Sequence, residues 1–393
     1  MSNANNEKNS QLTKREVKLI AMYFPQLHAI PENDEWWGKG FTDWHNVQSA
    51  RPQYTGHNQP RVPLNKNYYD QSKIETLRWQ VDLAKQYGIY GFCHYHYWFD
   101  GKQLLETPTN LIMEHKDIDF PFCLSWANET WSKRWDGRDN HILIQQTHIP
   151  TKERWKQHYD YLIKAWTDPR AIKVDGKPVF IIYRPQRIDK IDEMLAYWQA
   201  LAKADGLQGL YFIFQKQGEL PSRNCLNSFD AVFQFQPQEA VNSAAYDKNS
   251  IRHSRLFKLV QSLPERYQDM LRGLRAKFVK ELTFHDYDEA WRQVVEIRRD
   301  AKLTTFPGAY VDWDNAARYK KRATVFRGAS PEKFYKWLSM LVKGMPQRDL
   351  PENFIFLNAW NEWSEGAYLE PDERYGYQYL EAVKSALSNS IDN

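Results

Sequence analysis

Eight short apolar runs rich in β-formers punctuate the chain, and between most of them lies a stretch of helical periodicity. The runs are Val17–His28, Gly88–Phe99, Phe120–Asn128, Pro178–Pro185, Leu210–Gln217, Ala231–Pro237, Phe306–Asp314 and Phe354–Trp363. In Ser72–Tyr87 the apolar positions Ile74, Leu77, Val81 and Ala84 recur at three- and four-residue spacing, the mark of a helix with one buried face. Lys152–Trp166, Ile188–Ala204, Asp286–Ala301 and Pro331–Val342 read likewise. The last is opened by Ser330 as N-cap and Pro331 at the first helical position. A final helix is expected from about Gly376 to Leu387. Strand then helix, eight times over, predicts an α/β fold, a single (β/α)8 or TIM barrel. A doubly wound open sheet, the alternative, would show a glycine-rich phosphate turn after the first strand, where this chain has Pro25-Gln26-Leu27-His28. One domain is expected over 17–390, behind a polar, disordered N-terminal arm, 1–16. Long loops follow the first strand (Ala29–Asp70) and the third, and a basic, helical insertion, Gln238–Leu282, separates strands six and seven.

Composition narrows the function. The chain holds 16 Trp, 23 Tyr and 20 Phe, an excess that sits largely beside polar residues and suits an aromatic-lined cleft. Nucleic-acid stacking would use the same residues, but a formal charge of only +4, scattered among acids, gives no phosphate-binding footprint. Cys93 and Cys123 lie inside apolar runs and read as small buried hydrophobes, and with Cys225 they lack metal-ligand spacing. The first residues lack the apolar core of a secretory leader, and no stretch approaches the ~20 apolar residues of a membrane span. A cytoplasmic protein with no membrane span and no cofactor is expected. Oligomeric state is not legible.

If the barrel is right, chemistry belongs at the C-terminal ends of its strands. Those ends supply Tyr23 and His28, then Trp37 and Asp43-Trp44 in the loop. They continue with His94, Tyr95, His96, Tyr97 and Trp98, then Trp126, Asn128, Glu129 and Trp131, then Tyr183-Arg184 and Gln234 with Gln236. Asp312, Asp314, Trp360 and Asn361 complete the set. Polar and aromatic residues at nearly every strand end make a cleft pattern, and a saccharide is the ligand such a cleft fits. Other readings stay open. His94 and His96 share a strand face and could ligate a metal, though no third ligand is evident. Asp312 and Asp314 could bind Ca²⁺ or Mg²⁺ or brace a loop. Trp131 and Trp135, four apart, could pack on each other on a short helix. Glu129 competes for a catalytic role.

The segment 357–372, LNAWNEWSEGAYLEPD, stands apart: Glu362 and Glu365 sit three residues apart among Trp360, Asn361 and Trp363. Indoles stack on pyranose faces and carboxylates move protons. The bland alternative is a helix N-terminus, where glutamate is favoured by the macrodipole. On a helix, i and i+3 residues lie ~5–6 Å apart at Cβ, near the ~5–5.5 Å carboxyl separation of retaining glycosidases. Both carboxylates are expected to face one open cleft.

IAMYFPQLHAIPENDEWWGKGFTDWHNV, GFCHYHYWFDGK, LSWANETWSKRWDG and NAWNEWSEGAYLEPD together resemble the WbsX-type family of bacterial polysaccharide gene clusters, similar in turn to glycoside hydrolase family 99, the endo-α-mannanase and endomannosidase group. The resemblance implies a (β/α)8 barrel, no cofactor and a retaining mechanism. It places the family's Glu-Trp-x-Glu-Gly element on Glu362, Trp363, Glu365 and Gly366. It implies Glu362 as base on the sugar 2-hydroxyl and Glu365 as general acid/base. At strand six the chain departs from the family, with Gln236-Pro237-Gln238 in place of a Pro-Pro-His-like end. The expectation is a retaining, endo-acting hydrolase of a mannose-like bacterial polysaccharide. The alternatives are a glycosyltransferase of O-antigen or capsule assembly, in line with the name such proteins carry, and a non-catalytic carbohydrate-binding barrel.

Overall fold

The computed structural model describes residues 16–132, 142–217, 227–243, 246, 281–296, 303–345 and 350–389. Nine parallel strands form one sheet: β1 Lys18–Tyr23, β2 Gly91–Phe99, β3 Phe122–Trp126, β4 Lys177–Ile182, β5 Tyr211–Lys216, β6 Ala231–Gln234, β7 Thr304–Phe306, β8 Gly308–Tyr310 and β9 Phe354–Asn358. They pair in the order β7-β6-β5-β4-β3-β2-β1-β9-β8. The two ends of that path are consecutive in the chain, parted only by Pro307, so the sheet runs round to meet itself as an eight-staved barrel. Proline has no N–H for the ladder, so the seventh stave divides there. Its carbonyl still accepts from the Phe356 amide at 3.1 Å. At the joint a Cβ on Gly308 would strike the Gln234 carbonyl, and only glycine lets β8 come this close to β6.

Each of the eight expected runs holds a stave. Around them stand α1 Ile74–Gln86, α2 Thr107–Glu114, α3 Lys152–Trp166, α4 Ile191–Ala204, α5 Tyr287–Glu296, α6 Pro331–Lys343 and α7 Gln378–Ser388. Leu77, Val81 and Ala84 of α1 are buried as their spacing requires, and the Ser330 hydroxyl caps α6 by accepting from the Lys333 amide. The helix α2 has no counterpart in the sequence reading. Of the expected insertion, Gln238–Asn242 forms a short helix, while 247–280 lies outside the described residues, as do 1–15 of the expected arm, Trp135 and Cys225. No helix among the described residues is long and apolar enough to cross a membrane.

The staves are buried on both faces, so alternation along them fixes which residues share a side but not which side looks inward. Side-chain partners decide. Tyr23 donates its hydroxyl to Gln80 of α1 at 2.6 Å. His94 meets Thr109 of α2 at 3.3 Å, and His96 shares a 2.9 Å contact with His158 of α3. Trp98 stacks on the same His158 at 4.6 Å, 3° from parallel. Trp126 stands edge-on to His158 at 4.6 Å and reaches Trp198 of α4 at 6.5 Å. All five were expected to bind substrate; all five instead weld strands to the helix layer. Burial holds both strand histidines neutral, lowered to about 3, and neither joins a third metal ligand among the described residues. Trp126→Ala should therefore cost about 3–5 kcal/mol of stability, the usual loss for a large aromatic in a core. Chemical denaturation measures it; an unchanged midpoint would return Trp126 to the cleft.

Candidate active site

Beyond β9 the chain doubles back. Asn361–Glu362 pairs antiparallel with Ala367–Tyr368, and Trp363–Glu365 makes a single 3₁₀ turn between them. Gly366 closes the turn at φ +66°, where a Cβ would press to 3.1 Å from the Asp314 backbone nitrogen. The glutamates thus flank the tip of a tight hairpin instead of sharing an α-helical face, because the strand pairing takes up Glu362 before any helix can begin. Asn361 fixes the hairpin to the exit of β1: it accepts from the Phe24 amide at 2.8 Å and donates to the Phe24 carbonyl at 2.9 Å. Its amide is spent on backbone, which corrects its expected role as a sugar ligand.

Three loops bring charge together at this tip. Arg318, on the short helix Ala316–Tyr319 after β8, donates from Nη1 to Glu365 at 2.6 Å and from Nη2 to Glu362 at 3.3 Å. The same Nη2 donates to Asp43, from the loop after β1, at 3.0 Å. Asp43 also accepts from the Ser364 hydroxyl, on the hairpin itself, at 2.5 Å. The guanidinium lies 5.1 Å over the ring of Phe24. Side-chain exposure is 8% at Glu362, 18% at Glu365, 6% at Arg318 and 1% at Asp43. Burial raises the pKa of both glutamates; the charge of Glu365 adds to the rise at Glu362, and Arg318 opposes it at both. Three carboxylates facing one guanidinium are poised to keep a proton.

Phenols surround the pair. Tyr95 and Tyr97 of β2 lie within electrostatic reach of Glu362, and burial keeps both protonated. These are the inward-facing neighbours of His94, His96 and Trp98. Tyr183 and Tyr319 feel both Glu365 and Glu129, which puts Glu129 across the same mouth. There Glu129 is paired with Arg184 at 3.3 Å and Arg187 at 3.6 Å. Trp131 is half-buried on a short strand, not a helix, edge-on to Tyr97 at 5.0 Å. Trp37, also half-buried, stacks on Phe41 at 5.7 Å.

The remaining expected ligands are placed otherwise. Asn128 accepts from the Arg184 amide at 2.7 Å and donates to its carbonyl at 2.9 Å, a bracket like that of Asn361. Trp360 is fully buried against Phe92 at 5.1 Å. Asp312 binds Arg61 at 2.8 Å, while Asp314 takes His57 at 2.8 Å and Gln59 at 2.7 Å, so both hold the long first loop onto the barrel. Gln234 is buried on β6, and His28 is buried and neutral, lowered to about 4. Arg318, Asp43 and Ser364 were missed as a unit. The sequence singles out only Asp43, beside Trp44, and nothing local in it links residues 275 apart.

In architecture this is an eight-staved α/β barrel, and solved barrels share it. A solved glycoside hydrolase-like protein superposes with a TM-score of 0.58 at 13% identity, over 95% of this chain and 94% of that one. The family 99 endo-α-mannosidase of Bacteroides thetaiotaomicron does so at 0.54 and 12%, over 95% and 97%. The chain belongs to the WbsX family, whose model, described as glycosyltransferase WbsX, matches residues 19–383. WxcX of Xanthomonas campestris pv. campestris, an uncharacterised protein present in two strains, is 34% identical over 375 residues. That match takes in 95% of this chain and 50% of WxcX, so the chain spans about half the length of the curated relatives it matches.

Behind the hairpin lies a carboxylate the sequence reading passed over. Glu370 accepts from Gln80, Tyr69 and Trp363, each at 2.7 Å, tying the hairpin to α1 and to the first loop. Burial pushes its pKa from 4.5 to about 7 against these donors. A carboxyl raised on folding stabilises fully below its unfolded value and loses that contribution as pH climbs to the folded one. Relative to Glu370→Gln, the wild type should lose about 3 kcal/mol between pH 4.5 and 7, at ~1.4 kcal/mol per pH unit. Urea unfolding of both proteins at pH 5 and pH 7.5 tests this; parallel pH dependence would refute it.

Proposed function

We propose that the chain is a retaining, endo-acting glycoside hydrolase of a mannose-like bacterial polysaccharide, with Glu362 and Glu365 as its catalytic pair. The observation that carries the reading is two buried carboxylates sharing one guanidinium at a strand-end hairpin. In the first step Glu362 takes the proton of the sugar 2-hydroxyl and O2 attacks the anomeric carbon. The bond to the leaving oxygen breaks as Glu365 gives that oxygen its proton. The product of this half is a 1,2-anhydro sugar. In the second step Glu365 takes a proton from water, the water oxygen attacks the anomeric carbon, and the ring C–O2 bond breaks. Glu362 returns its proton to O2. Two inversions leave the configuration retained.

Exposure supports this division. Glu365 is the more open of the two at 18%, against 8% for Glu362, as a group meeting both leaving oxygen and water should be. Trp131, half-buried beside Tyr97, and Trp37, half-buried beside Phe41, offer ring surface on which pyranoses stack. Tyr95, Tyr97, Tyr183 and Glu129 offer hydroxyl partners. Glycosyl transfer in O-antigen or capsule assembly is the second reading, favoured by the family's description.

Glu365→Gln should cut hydrolysis of an unactivated polysaccharide by ~10²–10⁴-fold, the usual contribution of general acid–base catalysis. A substrate with a good leaving group should be partly rescued in its first step. Glu362→Gln should show no rescue, since the 2-hydroxyl must lose its proton whatever departs. Wild type should release reducing ends of retained configuration with no nucleotide sugar present, followed by NMR of the fresh product. Turnover that requires a nucleotide sugar, with both variants active, establishes transfer instead.

A further inference from the structure

We propose that Arg318 and Asp43 are a positioning pair that decides which of Glu362 and Glu365 carries the site's proton, an inference that deepens the hydrolase reading and rests on it. Neither residue has a part in the bond changes above, yet both touch the machinery. The guanidinium is a fork: Nη1 donates to Glu365 at 2.6 Å, and Nη2 is divided between Glu362 at 3.3 Å and Asp43 at 3.0 Å. Asp43, 1% exposed, is held in place by Ser364 between the two glutamates in sequence, so the hairpin tip itself positions the third carboxylate that competes for Nη2.

Among the described residues, the other groups facing the pair are neutral or ion-paired. Tyr95 and Tyr97 approach Glu362 from β2, and Tyr183 and Tyr319 approach Glu365; burial keeps all four as phenols. Glu129, across the mouth, is balanced by Arg184 and Arg187. Arg318 lowers and Asp43 raises the proton affinity of both glutamates. The shorter bond favours the anion at Glu365, so the resting proton sits on Glu362. Leaving-group protonation needs the reverse. A sugar 2-hydroxyl donating to Glu362 supplies the interaction that Asp43 withholds from it, and the proton is then free to pass to Glu365.

Two neighbours of opposite charge must move one titration in opposite directions. In unliganded protein with ¹³C-carboxyl glutamate, the signal lost in Glu362→Gln should titrate above the one lost in Glu365→Gln. Asp43→Asn, which keeps the bond from Ser364, should shift both titrations, and both limbs of the kcat/KM profile, toward acid by roughly one pH unit. Arg318→Gln should shift them toward base by about as much, nearby charges being worth ~1–3 units, and should narrow the gap between them, because Glu365 loses the shorter bond. Should Arg318→Gln fail to fold, Asp43→Asn decides alone. Titrations that stay put, move the same way in both variants, or appear in the opposite order overturn the proposal. The carboxyl titrations need no substrate, so they decide it even if hydrolysis is never found.

Discussion

Asp43, Glu362 and Glu365 can be buried together only because Arg318 is buried with them. An isolated carboxylate in a protein interior costs several kcal/mol, and one removed from its partner leaves that cost uncompensated. Arg318 reaches all three because its planar fork presents several N–H groups in different directions, which a lysine ammonium on a single stem does not match. The fork in turn needs a fixed bed, supplied by the Phe24 ring 5.1 Å beneath it. The architecture of the mouth follows: the loop after β1, the helix after β8 and the hairpin after β9 have to converge on one point.

Convergence is enforced by side-chain amides that act as short pieces of backbone. Asn361 brackets Phe24, Asn128 brackets Arg184, and Gln71 accepts from the Leu27 amide while donating to the Phe24 carbonyl, both at 2.7 Å. Each satisfies a strand-end N–H or C=O where the parallel ladder has run out. Asp312 and Asp314 do the same for the first loop through Arg61, His57 and Gln59. Rigidity at a barrel mouth is thus built from polar residues, the same types a ligand site uses.

This explains how far the sequence could be read. The staves were legible because each is a continuous apolar run, and α1 and α6 because one face of each is apolar. The parity of β2 was not: with both faces buried, His94, His96 and Trp98 look as eligible as Tyr95 and Tyr97, and only contacts with α2 and α3 separate them. Asn128 and Asn361 were misread because an amide gives no sign of whether it faces backbone or ligand. Glu362 and Glu365 were conspicuous through local spacing, whereas Arg318, 44 residues from the first and 47 from the second, is invisible to any local rule.

Trp363 shows how the two layers of the mouth depend on each other. It stands between the glutamates in sequence, but its indole turns away from them, stacked on Tyr368 at 3.8 Å and bonded through Nε1 to Glu370. Glu370 is bound through Gln80, which also receives the Tyr23 hydroxyl, so a chain of hydrogen bonds runs from β1 through α1 to the back of the hairpin. The front of the hairpin carries two carboxyls that share one guanidinium; the back carries a satisfied carboxylate and a close-packed indole. Buried polar networks are costly unless every member is matched. Here the matched network lies directly behind the charged one, and the rigidity of the first holds the second in place.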